Sequence, residues 1–334
     1  MIATLLRATP PRARLLLALL LAVLLVAPAF ADRYFVSVLV LVFWFAYVGQ
    51  AWNVMMGFAG LLSLGHALYV GLGAYVSAAL FVRLGIGPLA GLPVAVLASV
   101  AVGAAVGWLG FRFRIEGVYF ALLTIAFAEV ARIGFDHLAW TGGAAGLFLP
   151  VSAGGGGAWW NLRGGPVFFY YVALALASAA FVLCAALRHS PLGYRWLAVR
   201  EDPEAARALG VNVFRARMAA VLVSAALASV GGVFYAFYYN NLFPSQAFDI
   251  ARSIEIILAP IVGGLGTLFG PILGAFILTP LGEALIAATE RAGLNAPGTK
   301  AVFYGLCLIV IITLAPNGVW PALKKRLGIP QEEA

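Results

Sequence analysis

Of the 334 residues, 63% are hydrophobic and only 10% are charged, against roughly 45–50% and about 25% in soluble domains, so the chain is built to sit in lipid. Its formal net charge of +8 would point to nucleic acid in a soluble protein, but the basic residues lie in short segments between apolar runs, where they set orientation instead. Cys184 and Cys307 both fall inside apolar runs without metal-type spacing, which excludes a disulfide framework and a cysteine zinc site.

A membrane-spanning helix needs about 20 mainly apolar residues. Ten segments qualify: 15–31, 34–56, 66–82, 88–111, 116–135, 166–187, 218–239, 253–270, 272–289 and 299–315. The expected fold is all-α, a polytopic transmembrane helical bundle of about ten spans with glycine-broken segments, forming one membrane domain over 1–334. With a cytoplasmic N-terminus, Arg7, Arg12, Arg14, Arg112, Arg114, the six arginines from Arg188 to Arg217 and Lys324-Lys325-Arg326 all lie inside. That is fourteen of the 21 basic residues, as the positive-inside rule requires, and both termini are then cytoplasmic. The first span also has the form of a cleavable signal peptide, with a basic lead, a short apolar run and Ala29-Phe30-Ala31. Either reading leaves Asp32 outside and every later span unchanged.

The first interruption is GFAGLLSLGH, from Gly57 to His66. Its glycines predict a broken helix or a tight re-entrant turn, which is tolerated at membrane depth only when buried in protein or facing water. Such breaks lie near transport paths, which makes Gly60, Ser63 and His66 candidates for a translocation path, with Thr124 and Glu129 from the fifth span. Each has a competing structural reading. A lone histidine is commonly a hydrogen-bonder in the core, and Glu129 stands three residues before Arg132, a spacing that lets the two neutralise each other. The 31-residue segment from Asp136 to Pro166 holds Thr141-Gly-Gly-Ala-Ala-Gly146, the run Gly154 to Gly157 and Trp159-Trp160. It reads as a loose loop anchored at the membrane boundary by its tryptophans, or as a surface that touches an external partner.

The polar island from Arg188 to Arg217 follows, set in an otherwise apolar chain. Ser190-Pro191 has the form of an N-cap followed by proline at the first helical position, predicting a helix to about Arg200. A second start follows at Asp202-Pro203, with Glu204 at the positive end of the dipole, Arg207 at the negative end and Gly210 placed to supply a left-handed stop. The capping box is incomplete, since Ala205 stands where glutamate or glutamine is expected. A helix this short must pack against something. Small side chains at Ala205, Ala206 and Ala208 suit a partner's groove, with Arg200, Glu201, Asp202 and Arg207 as a charged rim. A solvated loop lying on lipid headgroups is the alternative.

The last interruption, Gly263, Gly264, Gly266, Gly270 and Pro271, reads as a turn between two helices. The four-residue spacing of Gly266, Gly270 and Gly274, and of Gly103 and Gly107, predicts close helix packing. Arg252, Glu255 and Glu283 belong near a membrane interface, where charge costs less. Enzyme motifs fail. GLNAPGTK, from Gly293 to Lys300, ends in the wrong order for a phosphate loop and follows no strand. His66, His137 and His189 are scattered, so neither a catalytic group nor a metal or cofactor site is indicated in this chain.

The stretch from Ser190 to Ala236 resembles the coupling region of permease subunits in ABC importers, particularly those of branched-chain amino acids. So do Gly57 to Tyr75, Gly117 to Ile133, Thr141 to Gly146 and Ser253 to Ala275, in the same order, over roughly 35 to 320. The resemblance implies ATPase coupling through Arg200, Glu201, Asp202, Pro203, Ala206, Arg207 and Gly210. It also implies ATP and Mg on a partner ATP-binding subunit, a second homologous permease, an external substrate-binding protein and a place in the bacterial inner membrane. Leu61-Leu62 departs from the family, which usually has glutamine or a similar polar residue after Gly60. Permeases for urea, short amides or sugars share the same motifs. An ion-driven carrier is the rival of a different class, and it lacks support from an internal repeat.

Overall fold

The computed structural model describes residues 22–150, 161–291 and 298–326. The start of the first predicted span, the Gly154 to Gly157 run, Trp159-Trp160 and most of GLNAPGTK lie outside them. Among the described residues the chain is helical: α1 (Arg33–Asn53), which runs on as a π turn (Val54–Phe58), α2 (Ala67–Leu84), α3 (Pro88–Arg112), α4 (Val118–His137), α5 (Pro166–Arg188), α6 (Pro191–Glu201), α7 (Pro203–Ala208), α8 (Val213–Tyr239), α9 (Pro244–Ala247), α10 (Ile250–Gly263), α11 (Gly270–Arg291), α12 (Thr299–Leu314) and α13 (Val319–Arg326).

Seven of these helices, α1 to α5, α8 and α11, are long and apolar enough to cross a membrane. The other three predicted spans differ. Only 22–30 of the first is described, and it is helical; Tyr170 and Tyr171 of α5 donate hydroxyl hydrogen bonds to the carbonyls of Leu24 and Leu25 at 2.6 and 2.9 Å. The predicted span 253–270 stops early, because α10 ends at Gly263 after 14 residues. Gly264 takes φ +129°, and a Cβ on Gly263 would stand 1.7 Å from the Gly270 carbonyl oxygen. Apolar periodicity continues across this point and hides the stop. The last predicted span yields a 16-residue helix, α12.

Asp32 caps α1, its carboxylate accepting from the Phe35 amide. From Val38 onward α1 is buried on nearly every face, so it is the central post of the bundle, as all-round apolarity predicts. Lipid provides little hydrophobic drive between helices, so close backbone approach and interhelical hydrogen bonds carry the packing. On α8 a Cβ at Gly232 would lie 2.0 Å from the Val70 oxygen, and on α2 one at Gly73 would lie 2.2 Å from that of Ser229. The expected α3 contacts form too, with Gly103 against Ala225 and Gly107 against the Met218 sulfur. Across α1 and α8, Trp44 Nε1 donates to the Gly231 carbonyl at 2.8 Å, Tyr47 Oη to Leu227 at 2.9 Å and Ser224 Oγ to Ala51 at 2.6 Å.

At the end of the bundle away from the polar island, the described part of the 136–166 loop is not loose. Two 3-10 turns, Ala139–Thr141 and Gly143–Ala145, form here, with Gly142, Gly143 and Gly146 at positive φ. The chain then enters β1 (Leu147–Phe148), which pairs antiparallel with β2 (Asn241–Leu242) in the register Leu147 to Leu242. Glycine here makes a tight turn rather than slack, because a Cβ on Gly146 would lie 2.7 Å from the Leu242 oxygen.

Candidate functional site: a polar island wired to two helix breaks

Ser190 and Asp202 cap their helices as their sequence positions predict. Ser190 Oγ accepts from the Gly193 amide at 3.2 Å, and Asp202 Oδ1 accepts from Glu204 and Ala205 at 2.8 and 3.0 Å. Gly210 stops α7 at φ +85°. Trp196 of α6 is fully buried, its Nε1 donating to the Ala216 carbonyl at 2.8 Å. The island is therefore fixed to the base of α8.

The face that α7 offers differs from the expected one. Ala206 is only 2% exposed and packs into this chain, beside Trp196 and Val213. Ala205, Arg207 and Ala208 stay exposed, together with Glu201, Asp202 and Glu204. Leu209, unmarked in the sequence reading, is 84% exposed and is the large apolar side chain on this surface. Pro203 is half-buried at the helix start.

Arg200 does not serve simply as rim. Its Nη1 donates to the carbonyl of Gly57 in the first break at 2.5 Å. Gly60 of the same break lies against its stem, a Cβ there standing 3.1 Å from Arg200 Cγ. Arg188, at the end of α5, donates from Nη1 to the carbonyl of Gly266 in the second break at 3.3 Å. The two breaks also meet directly. Asn53 Oδ1 accepts from the Gly266 amide and Asn53 Nδ2 donates to the Thr267 carbonyl, both at 2.9 Å, while Gln50 Nε2 donates to Leu268 at 2.6 Å. Within the second break Thr267 Oγ1 donates to the Gly264 carbonyl at 2.8 Å and accepts from the Gly270 amide at 3.0 Å. Pro271 follows at the start of α11, buried. Non-helical backbone inside a membrane protein needs such partners, since lipid offers none. Gln50 and Asn53 were legible only as polar residues in the apolar 34–56 run, a signal that the reading of that span passed over.

Three of the five candidate path residues are brought together. Ser63 and His66 are fully buried. Thr124 of α4 pins the same turn, its Oγ1 accepting from the amides of Leu64 and Gly65 at 3.1 Å each. Among the described residues Ser63 Oγ and His66 Nδ1 have no hydrogen-bond partner, and His66 Nε2 lies 3.4 Å from Ser224 Oγ. Gly60 lies at the Arg200 end of this turn. Glu129 is apart from all of them: its side chain is 51% exposed on α4, paired with Arg132 at 2.5 Å, and Arg132 also holds Asp136 at 2.9 Å. Among the described residues no group of histidine, cysteine or carboxylate side chains is placed to hold a metal.

The family described as branched-chain amino acid transport system / permease component matches residues 34–312. The high-affinity branched-chain amino acid transport system permease protein LivM of Salmonella typhimurium is 28% identical over 342 residues, covering 96% of this chain and 78% of that protein. LivM of Escherichia coli is 29% identical, with 95% and 77% covered. The autoinducer 2 import system permease protein LsrC of an Enterobacter strain is 31% identical over 58% of this chain and 56% of that protein. No solved structure matches. The match along 34–312 contains both breaks and the whole island between them, and the chain therefore belongs to the branched-chain amino acid transport system permease component family.

Proposed function

We propose that this chain is the membrane permease of an ABC importer that moves branched-chain amino acids inward across the bacterial inner membrane. A separate ATP-binding subunit binds ATP and Mg, docks on the exposed face of α7 around Glu201, Arg207 and Leu209, and moves the island as its dimer closes. A second homologous permease completes the path, and an external binding protein delivers the cargo. The observation that carries this reading is the bond from Arg200 to Gly57, joined by that from Arg188 to Gly266. Through these bonds a push on the island, from Arg188 at the end of α5 to Arg200 of α6, reaches two helix breaks at once, and both breaks are places where a helix direction can change at low cost.

In this reading the island end is cytoplasmic, in agreement with the arginine distribution. A second cargo class, small polar molecules such as sugars, is favoured by the likeness to the autoinducer 2 import permease; the near full-length matches to LivM weigh toward amino acids. The test is mass spectrometry of what co-purifies from native membranes in mild detergent, for the native chain and for Glu201→Lys/Asp202→Lys. The expected result is an ATPase and a second permease with the native chain, and loss of the ATPase alone from the variant. A chain that purifies by itself, under conditions that keep other ABC complexes whole, contradicts the proposal.

A further inference from the structure

At the end of the bundle opposite the island, α10 begins with an ion pair that the coupling mechanism does not use. Arg252 Nη1 holds Glu255 Oε2 at 2.8 Å, and Arg252 Nη2 donates to Tyr235 Oη at 3.2 Å. The guanidinium carbon lies 5.3 Å from the centre of the Tyr235 ring. The two charged side chains are 23% and 19% exposed, so the pair is half-buried but open on one side, between α8 and α10.

Depth follows from helix length. The 27 residues of α8 span about 40 Å at about 1.5 Å per residue, against a hydrocarbon thickness of about 30 Å. Tyr235 stands one turn before the end of α8, so the pair lies at the hydrocarbon boundary. Charge at that depth costs less than at the bilayer centre, and ionisable pairs within membrane segments mark pathways. Next to Glu255 lies a cavity of about 10 Å³ lined also by Phe45, Ala259, Leu278, Thr279 and Tyr304, room for one water.

We infer that Arg252 and Glu255 receive the zwitterionic head of the cargo, Arg252 taking its carboxylate and Glu255 its ammonium, while the aliphatic side chain enters beside Phe45, Ala259 and Leu278. This rests on the amino acid transport reading above. The chemistry is an exchange: an internal Arg–Glu bond is replaced by two charge-assisted bonds to a ligand bearing the same two charges, so no net charge enters the site. The Tyr235 hydroxyl and ring hold the guanidinium in place throughout. Widening the cavity requires α10 to move from α11 and α12. The far end of α10 is Gly263-Gly264, directly before the break that Arg188 and Asn53 hold. One helix therefore has the receiving site at one end and the coupling junction at the other.

The experiment uses photoleucine, a diazirine analogue of leucine, on the wild-type chain purified with its accompanying subunits and reconstituted in liposomes, followed by peptide mass spectrometry. Leucine uptake is measured in parallel for Arg252→Gln, Glu255→Gln and the swap Arg252→Glu/Glu255→Arg. The expected result is leucine-protected adducts at or next to Phe45, Ala259 or Leu278, where the diazirine-bearing side chain sits. Each single variant lowers uptake by about tenfold or more, the loss of one charge-assisted hydrogen bond, and the swap does not restore it. Adducts confined to helices other than α1, α10 and α11, or uptake restored by the swap, overturn the assignment, since restored uptake would show that the order of the two charges does not matter. A wild-type complex that takes up no leucine overturns the cargo reading and this site with it, whereas one that transports leucine without these adducts overturns this site alone.

Discussion

Arg200 of α6 donates from Nη1 to the main-chain carbonyl of Gly57 at 2.5 Å, across 143 residues of sequence. The bond ties the helix next to the docking surface to the point where the central helix α1 loses its regular hydrogen bonding. Around it Arg188, Asn53 and Gln50 tie the second break to the same place, so the island, α1 and the α10–α11 turn form one polar junction.

Gly266 has no room for a side chain in that junction. A Cβ there would stand 2.6 Å from Arg200 Nη1 and 2.9 Å from the Gly57 oxygen, at φ +75°. Gly266→Ala is expected to destabilise the protein by about 2 kcal/mol or more. Gly85→Ala has a similar φ of +67° but meets nothing within 4 Å, and carries only the backbone cost of about 1 kcal/mol. Thermal melting of the two variants in detergent compares them; equal shifts would mean the junction tolerates the added methyl.

Asn53 is fully buried and satisfies one donor and one acceptor of the second break. Asn53→Ala leaves the Gly266 amide and the Thr267 carbonyl without those partners, at a cost of about 1–3 kcal/mol each. Melting temperature and uptake are both expected to fall. A variant with unchanged melting would show that water replaces the side chain.

Thr124 makes a cleaner case, because valine has the same shape. Thr124→Val removes the acceptor of the Leu64 and Gly65 amides and is expected to cost about 2 kcal/mol or more, while Thr124→Ser keeps the hydroxyl and stays within about 1 kcal/mol. Equal melting of the two variants would count against the pinning role.

Leu209 lies on the surface, and Leu209→Asp is expected to leave folding stability within about 0.5 kcal/mol while reducing co-purification of the ATPase. Full retention of the ATPase would move the docking surface elsewhere on the island.

The helix starts of the island were legible because capping is local: Ser190, Asp202 and Gly210 act within three residues of themselves. The two breaks were legible because glycine marks them. Their meeting was not, since Gly57 and Gly266 are joined through Asn53 and Arg200, side chains that look like a stray polar residue and a surface charge when read along the chain. Which of Ala205, Ala206 and Ala208 stays outward was hidden for a related reason. Three alanines in four residues do not say which one turns inward, and the Trp196 and Val213 packing decides for Ala206. Glu129 pairs with Arg132, as their three-residue spacing allows, and Arg132 also reaches Asp136.

The central claim is that Arg200 transmits the motion of the docked ATPase to the breaks rather than holding the ATPase. The most direct measurement is leucine uptake together with ATPase co-purification for Arg200→Ala, taken on the same membranes. The account predicts a retained ATPase with uptake reduced by about tenfold or more. Wild-type uptake in a variant that is present at wild-type abundance would contradict it.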